Sequence, residues 1–383
     1  MSDSGSLTGR PLTGRPLAGR PLEGLRVLEV ATLYAAPQIG AMLGDLGADV
    51  VKVEPPTGDP MRRMGRPRSW DLVARHKRSI MLDLEPDRSP DDAAIFDALV
   101  AAADVLVENL TPSLRSRWAC TYEELAARNP ALVVVSVSCF GATGPYADRP
   151  GAGTLAEAFA GLTHMTGEAD GPPMLASVAI GDTVTAFAGV IGALAACWSR
   201  DARGGTGSHV DIAMFEPILA IMAGTLAGWD GAGEPPRRNG SRVPGGTPRN
   251  VYGTSDGRYV AVSGTTDAQV ARVLGVIGHD TPDDRARFGR AVDRAVASDE
   301  LDALVAEWIA AHSRDEVMSA LLDARVPVAP VNDARDILED PHIASRGGIV
   351  TPAPGAGLDA HRSEVLADWL AYRDEPPAPT LAR

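Results

Sequence analysis

"LEGLRVLEVATLYAAPQIGAMLGDLGADVVKVEPPTGD", residues 22–59, decides the fold. "LRVLEVA" (25–31) is a short β run, and "APQIGAMLGDLG" (36–47) carries helical apolar spacing that stops at Gly47. "ADVVKVE" (48–54) is a second β run, halted by Pro55-Pro56. Strand, helix and strand within about 30 residues mark a right-handed βαβ unit.

Outward from that unit the pattern repeats. "SIMLDL" (79–84), "DVLVENL" (104–110) and "ALVVVSVSCFG" (131–141) read as strands, separated by helices at 91–103 and 121–130. This predicts an α/β fold, an open sheet whose ligand-binding loops sit at the carboxyl ends of its strands. No G-x-G-x-x-G follows the first strand, so a dinucleotide-binding fold is not indicated. "LASVAIGDTVTAFAGVIGALAACWS" (175–199) is apolar nearly all round and predicts a helix packed on several sides, as at a subunit interface. Gly181-Asp182 interrupts it and argues against a membrane span.

Past Asp211 the composition changes. Residues 228–264 are loop-rich with a β run at "YVAVSG" (259–264), and helical patterns follow at 267–277, 284–296, 299–312 and 314–324. The spacing predicts a large domain over 19–214, a smaller α+β domain over 215–325, and a return to the large domain over 326–383 that includes a helix at 363–372. Residues 1–18 repeat GRPL and read as a disordered tail.

The 383 residues are 45% hydrophobic and 22% charged, ordinary for a globular cytoplasmic protein. Cys120, Cys139 and Cys197 have no paired spacing, which points to neither disulfides nor zinc. No apolar run approaches the ~20 residues of a membrane span. A net charge of −14 argues against nucleic acid. Yet Lys52–Arg78 holds eight basic residues against three acidic ones. That stretch reads either as a solvated face or as a site for a polyanionic small molecule. Asp211, with His209 and Glu216 nearby, lacks ligand spacing, so no metal site is expected, and G-x-S-x-G is absent.

Nine segments in order, among them "LGADVVKVEPPTGDPMR", "ADVLVENLTPSLRSR", "NPALVVVSVSCFGATGPYADRPG" and "VPVAPVNDARDILEDPH", resemble the class III CoA-transferases. That family includes formyl-CoA and carnitine CoA-transferases and 2-methylacyl-CoA racemase. The resemblance covers roughly residues 20–372. It implies the class III CoA-transferase fold with two ring-shaped subunits interlocked like chain links. It also implies CoA or acyl-CoA as a substrate, not a permanently bound cofactor, and a small carboxylic acid as the other substrate. By position Arg62, Lys77, Arg78, Asn109 and Arg117 look like the family's CoA contacts, with the cations on the phosphates and Asn109 near the thioester. Ordinary surface ion pairs, and a turn role for Asn109, are the competing readings.

One departure matters. The family's transferases carry a nucleophilic aspartate two residues past R-P-G, and the racemase a histidine just before it. Here those places are Gly153 and Ala152, while Asp182 matches the racemase's second carboxylate. Three readings stand. Glu157, four residues past Gly153 on the same helical face, supplies the carboxylate. Asp182, alone or with His164, acts as a general base. Or the protein binds CoA thioesters without turnover. CoA transfer is the first expectation and racemase-like proton transfer the second. Cys139 beside the site is a single thiol with no adjacent base. "VPGGTPRN" (243–250) keeps only Gly245-Gly246 of the family's glycine-rich loop.

Overall fold

The structure, a computed structural model, describes residues 20–64, 68–229, 231–243, 246–347 and 353–370. The tail expected at 1–18 lies outside them, as does Gly245.

The opening unit is β1 (Arg26–Val30), α1 (Ala35–Asp45) and β2 (Asp49–Glu54). Gly47, at φ 102°, takes the left-handed turn that releases the chain from α1 into β2. A 3-10 turn (Pro60–Arg62), α2 (Ser69–Ala74) and β3 (Lys77–Met81) follow. Next come α3 (Pro90–Ala102), β4 (Val105–Glu108), α4 (Pro112–Arg117), α5 (Tyr122–Arg128) and β5 (Val133–Ser138). Ser89, Thr111 and Thr121 cap these helices by accepting from backbone N–H groups of the first turn, and proline opens α3 and α4. Then come α6 (Gly153–Phe159), α7 (Leu162–Met165), α8 (Ile180–Arg203), β6 (His209–Ala213) and α9 (Phe215–Ala227).

Beyond Gly233 lie β7 (Arg249–Gly253), β8 (Tyr259–Ser263), α10 (Asp267–Ile277), α11 (Pro282–Phe288) and α12 (Ala291–Val296). They are followed by α13 (Ser298–Ala310), α14 (Arg314–Asp323), β9 (Val328–Pro330), α15 (Ala334–Glu339) and α16 (Pro341–Arg346), with α17 (Arg362–Leu370) last. The single helix expected at 284–296 is two, because the chain turns at Gly289, whose N–H closes α11 on the Arg285 carbonyl.

Six parallel strands form one sheet in the order β3-β2-β1-β4-β5-β6. That is the doubly wound order of nucleotide-binding sheets, reached without the glycine fingerprint. The expectation drawn from its absence is corrected to this extent: the topology is present and the phosphate turn is not. β1, β2, β4 and β5 are buried almost throughout, so both faces must be covered. On one face Leu28, Leu106 and Val134 pack with Phe96 and Leu99 of α3 and Trp369 of α17. On the other, α1 lies against α8 so closely that a Cβ on Gly189 would stand 2.3 Å from Ile39 Cδ1.

This compact unit takes the described residues up to Thr163, Leu175–Ala232, and those from His342 on. The second comprises His164–Met174 and Gly233–Pro341, with the antiparallel sheet β7-β8-β9 over its own core of Val260, Val270, Leu301 and Val317. The boundary falls at 232/233, where the sequence suggested 214/215, because α9 packs on α6 and α8. The return starts at 342, later than 326, because β9 completes the smaller sheet.

By length and composition α8 could cross a membrane, contrary to the reading of apolar runs above. Its Ala186, Gly189, Ala193 and Cys197 are buried inside the first unit, while Phe187, Ile191 and Trp198 are exposed.

Candidate functional site

The chain changes its direction of sheet growth between β1 and β4, which leaves a crevice at their carboxyl ends. Asn109, just past β4, bridges it. Its Oδ1 accepts from the Thr32 N–H at 3.0 Å and its Nδ2 donates to the Thr32 carbonyl at 2.9 Å. The next residue, Leu33, is held at φ 69°, a conformation costly for a branched side chain. Its N–H donates to Asp59 Oδ1 at 3.1 Å, and Asp59 is anchored by the buried Lys52 at 2.9 Å. The β1–α1 loop is therefore clamped from both sides, by charge-backed hydrogen bonds where strain would otherwise relax.

Two cavities flank this bridge and share Asn109, Leu110 and Thr111 in their walls. The first, about 450 Å³, opens between Tyr34, Ser138, Cys139, the 147–154 loop and Asp182. Asp182 lies in the first turn of α8, against the start of α6. A Cβ on Gly153 would sit 2.3 Å from Asp182 Oδ2, so the Asp182 carboxylate fills the space that a side chain at 153 would need. Burial, and then the charge of Glu157, push the Asp182 carboxyl up to about 6.

Glu157 is buried and is not a lining residue of either cavity. Its Oε1 accepts from the Gly181 N–H at 2.8 Å, tying α6 to the start of α8. Its face of α6 turns to α8, and it lies away from the cavity wall that Asp182 lines. His164 falls in the second unit and lines neither cavity. Cys139 Cβ would meet a Cβ on Gly151 at 2.0 Å, and burial pushes its thiol up, so it is a poor nucleophile.

The second cavity, about 410 Å³, is walled by Val30, Val53, Leu82, Leu84, Leu114 and Trp118, with Glu85 and Arg88 among its polar groups. Arg117 reaches Glu85 at 2.6 Å and is half exposed, and among the described residues Arg88 pairs with Asp83 alone, at 3.6 Å. Among the described residues, Lys77, Arg78 and Arg62 are paired within the chain. Lys77 is buried on Glu29 at 2.6 Å and on the Pro37 carbonyl. Arg78 pairs with Asp49 at 2.6 Å and Asp368 at 2.7 Å, near the amino ends of β2 and β3. Arg62 is bidentate on Glu54 and stacks on Trp70. Each of the three has its charge answered by carboxylates of the first unit: Glu29 for Lys77, Asp49 and Asp368 for Arg78, and Glu54 for Arg62. Arg88 and Trp118 escaped the sequence reading. Arg88 lies beyond the basic run, and only its place after β3, where such sheets bind ligands, could have flagged it.

Among the described residues no group of three His, Cys, Asp or Glu side chains is placed to hold a metal ion. His209 bonds Ser136 at 2.8 Å and stacks on Tyr122.

Fold and site together define a doubly wound α/β protein with a ligand crevice at its switch point and one carboxylate of raised pKa inside. The chain belongs to CoA-transferase family III, whose profile matches residues 22–382. It is 36% identical to succinyl-CoA–D-citramalate CoA-transferase of Chloroflexus aurantiacus, over 92% of this chain and 94% of that one. It is 31% identical to succinate–glutarate CoA-transferase of Agrobacterium fabrum, over 94% and 92%. A crystal structure of a CaiB/BaiF family protein from Brucella suis superposes with a TM-score of 0.80 at 31% identity, covering 91% of this chain and 99% of that one.

Proposed function

We propose that the protein moves CoA from an acyl-CoA thioester to a dicarboxylic acid, with Asp182 as nucleophile. The observation that carries this is the Asp182 carboxylate filling the space above Gly153, the place where the family's transferases bear theirs. The carboxylate is delivered from α8 instead of α6.

Asp182 Oδ attacks the thioester carbonyl, the C–S bond breaks, and CoA thiolate leaves an aspartyl-acyl anhydride. The thiolate then attacks the aspartyl carbonyl, releasing the donor acid as its carboxylate and leaving an aspartyl-CoA thioester. The acceptor carboxylate attacks that thioester, and the thiolate returns to the acceptor acyl group, restoring Asp182. Asn109 commits one amide proton to Thr32 and keeps the other for the thioester oxygen. The two cavities joined at Asn109–Thr111 suit a long substrate, with the acyl end at Asp182 and the nucleotide end beyond Trp118. Arg88 and Arg117 then take the phosphates from the cavity mouth.

Racemase-like proton transfer needs an acid and a base on opposite faces of the α carbon. Asp182 has no imidazole partner among the lining residues, which favours transfer. Dicarboxylic acids are chosen because the citramalate and glutarate transferases above are named for them. The enzyme works in the cytoplasm as a pair of identical chains, joined through the exposed apolar stripe of α8.

Steady-state assays with succinyl-CoA and glutarate test the assignment. Asp182→Asn should lose at least about 10³-fold in kcat, and Glu157→Gln should stay within about threefold. Full activity in Asp182→Asn, or its loss in Glu157→Gln alone, would return the nucleophile to α6.

A further inference from the structure

Arg149 differs from Arg62, Arg115 and Arg117. Arg62, Arg115 and Arg117 each hold a carboxylate at 2.9 Å or less: Glu54, Glu108 and Glu85 respectively. Arg149 lines the Asp182 cavity and has no carboxylate within ion-pair distance among the described residues. Its guanidinium carbon lies 3.5 Å over the Tyr146 ring, and its backbone N–H donates to the Tyr146 carbonyl at 3.0 Å. Tyr146 is itself fixed edge-on by Phe140 and Phe159, each ring 6.0 Å away. Stacking orients the guanidinium plane and leaves its in-plane N–H groups uncommitted.

Arg115 lines the same cavity, but its charge is answered by Glu108 and its free Nη2 is buried. Arg149 is exposed, so a ligand can reach it. It precedes Gly153 by four residues in the loop that leads into α6, the helix on which Asp182 rests.

We propose that Arg149 receives the free carboxylate of the dicarboxylic acid while the other carboxyl reacts at Asp182. An aromatic-backed guanidinium with no carboxylate partner among the described residues, in the cavity that the reacting carboxylate lines, is a fork shaped for a second carboxylate. It makes Arg149 the specificity-determining residue for diacids over monoacids. This inference rests on the transferase reading given above.

The test compares acceptors of equal length, glutarate and pentanoate, with succinyl-CoA as donor to both, so that effects on the donor half cancel in the ratio of kcat/KM. The wild-type protein should favour glutarate by at least about 100-fold, the scale on which sites built for a polar group reject its analogue. Arg149→Gln should lower that ratio about 30-fold, ~2 kcal/mol at 1.4 kcal/mol per tenfold. Arg149→Lys, a point charge without the fork, should fall between. An unchanged melting temperature in both variants confirms that the readout is recognition. A ratio in Arg149→Gln within threefold of wild type would overturn the Arg149 assignment while leaving transfer intact. Wild-type transfer to neither acid would overturn the transferase reading, and equal use of both would overturn the choice of diacids, with the Arg149 assignment in either case.

Discussion

Asp182 is costly to ionise where it sits. Burial and Glu157 raise its carboxyl from 3.8 to about 6. Below about pH 4 it is protonated in folded and unfolded chains alike, and its full contribution to stability is present. As pH rises through 6 the unfolded chain is already ionised while the folded one resists, so stability is lost. Two units at ~1.4 kcal/mol each, roughly halved for the part of the group that solvent screens, leave about 1–2 kcal/mol. Asp182→Asn should therefore unfold at higher urea than wild type at pH 7.5, with the gain vanishing near pH 4, even as activity disappears. A variant destabilised at pH 7.5 would show that the carboxylate is a structural anchor. The same titration sets the acid limb of kcat/KM near pH 6. Glu157→Gln keeps an acceptor for the Gly181 N–H but removes the neighbouring charge, so that limb should move to lower pH. A limb that stays or rises would contradict the coupling. Gly153→Ala should lose at least about tenfold in activity, since its Cβ displaces the nucleophile.

Among the elements, the loops at the carboxyl ends of β1 and β4 matter most, because one amide side chain holds both. Asn109→Ala frees Thr32 and lets the strained Leu33 relax, and should raise KM for acyl-CoA about tenfold while lowering kcat. Normal kinetics in that variant would mean that Asp59 alone holds the loop. The βαβ unit of residues 22–59 was legible because its periodicity is local and Gly47 and Pro55-Pro56 punctuate it. β6 was not, since its five residues are an edge strand with an exposed first half that gives no apolar run. The basic stretch has countercharges that its local sequence does not show. Its countercharges Glu29 and Asp368 stand 48 and 290 residues from Lys77 and Arg78, and no reading of local charge finds them. The loss at Gly153 was plain in sequence, but that Asp182 fills the gap depends on how α6 meets α8.

At the scale of the whole molecule, one long helix serves two purposes. The first turn of α8 carries Asp182, while further along its small-residue face meets α1 and Phe187, Ile191 and Trp198 stay exposed. Charging that stripe with Ile191→Glu and Trp198→Glu together should convert a dimer to a monomer in sedimentation at micromolar concentration. A dimer that survives would place the subunit contact elsewhere. The nucleophile assignment meets its most direct test in trapping. The protein is incubated with succinyl-CoA, quenched in hydroxylamine, and its peptides are sequenced by mass spectrometry. A hydroxamate on Asp182, absent from Asp182→Asn, is the predicted result. A hydroxamate on Glu157, or an unmodified protein that still transfers CoA, would contradict it.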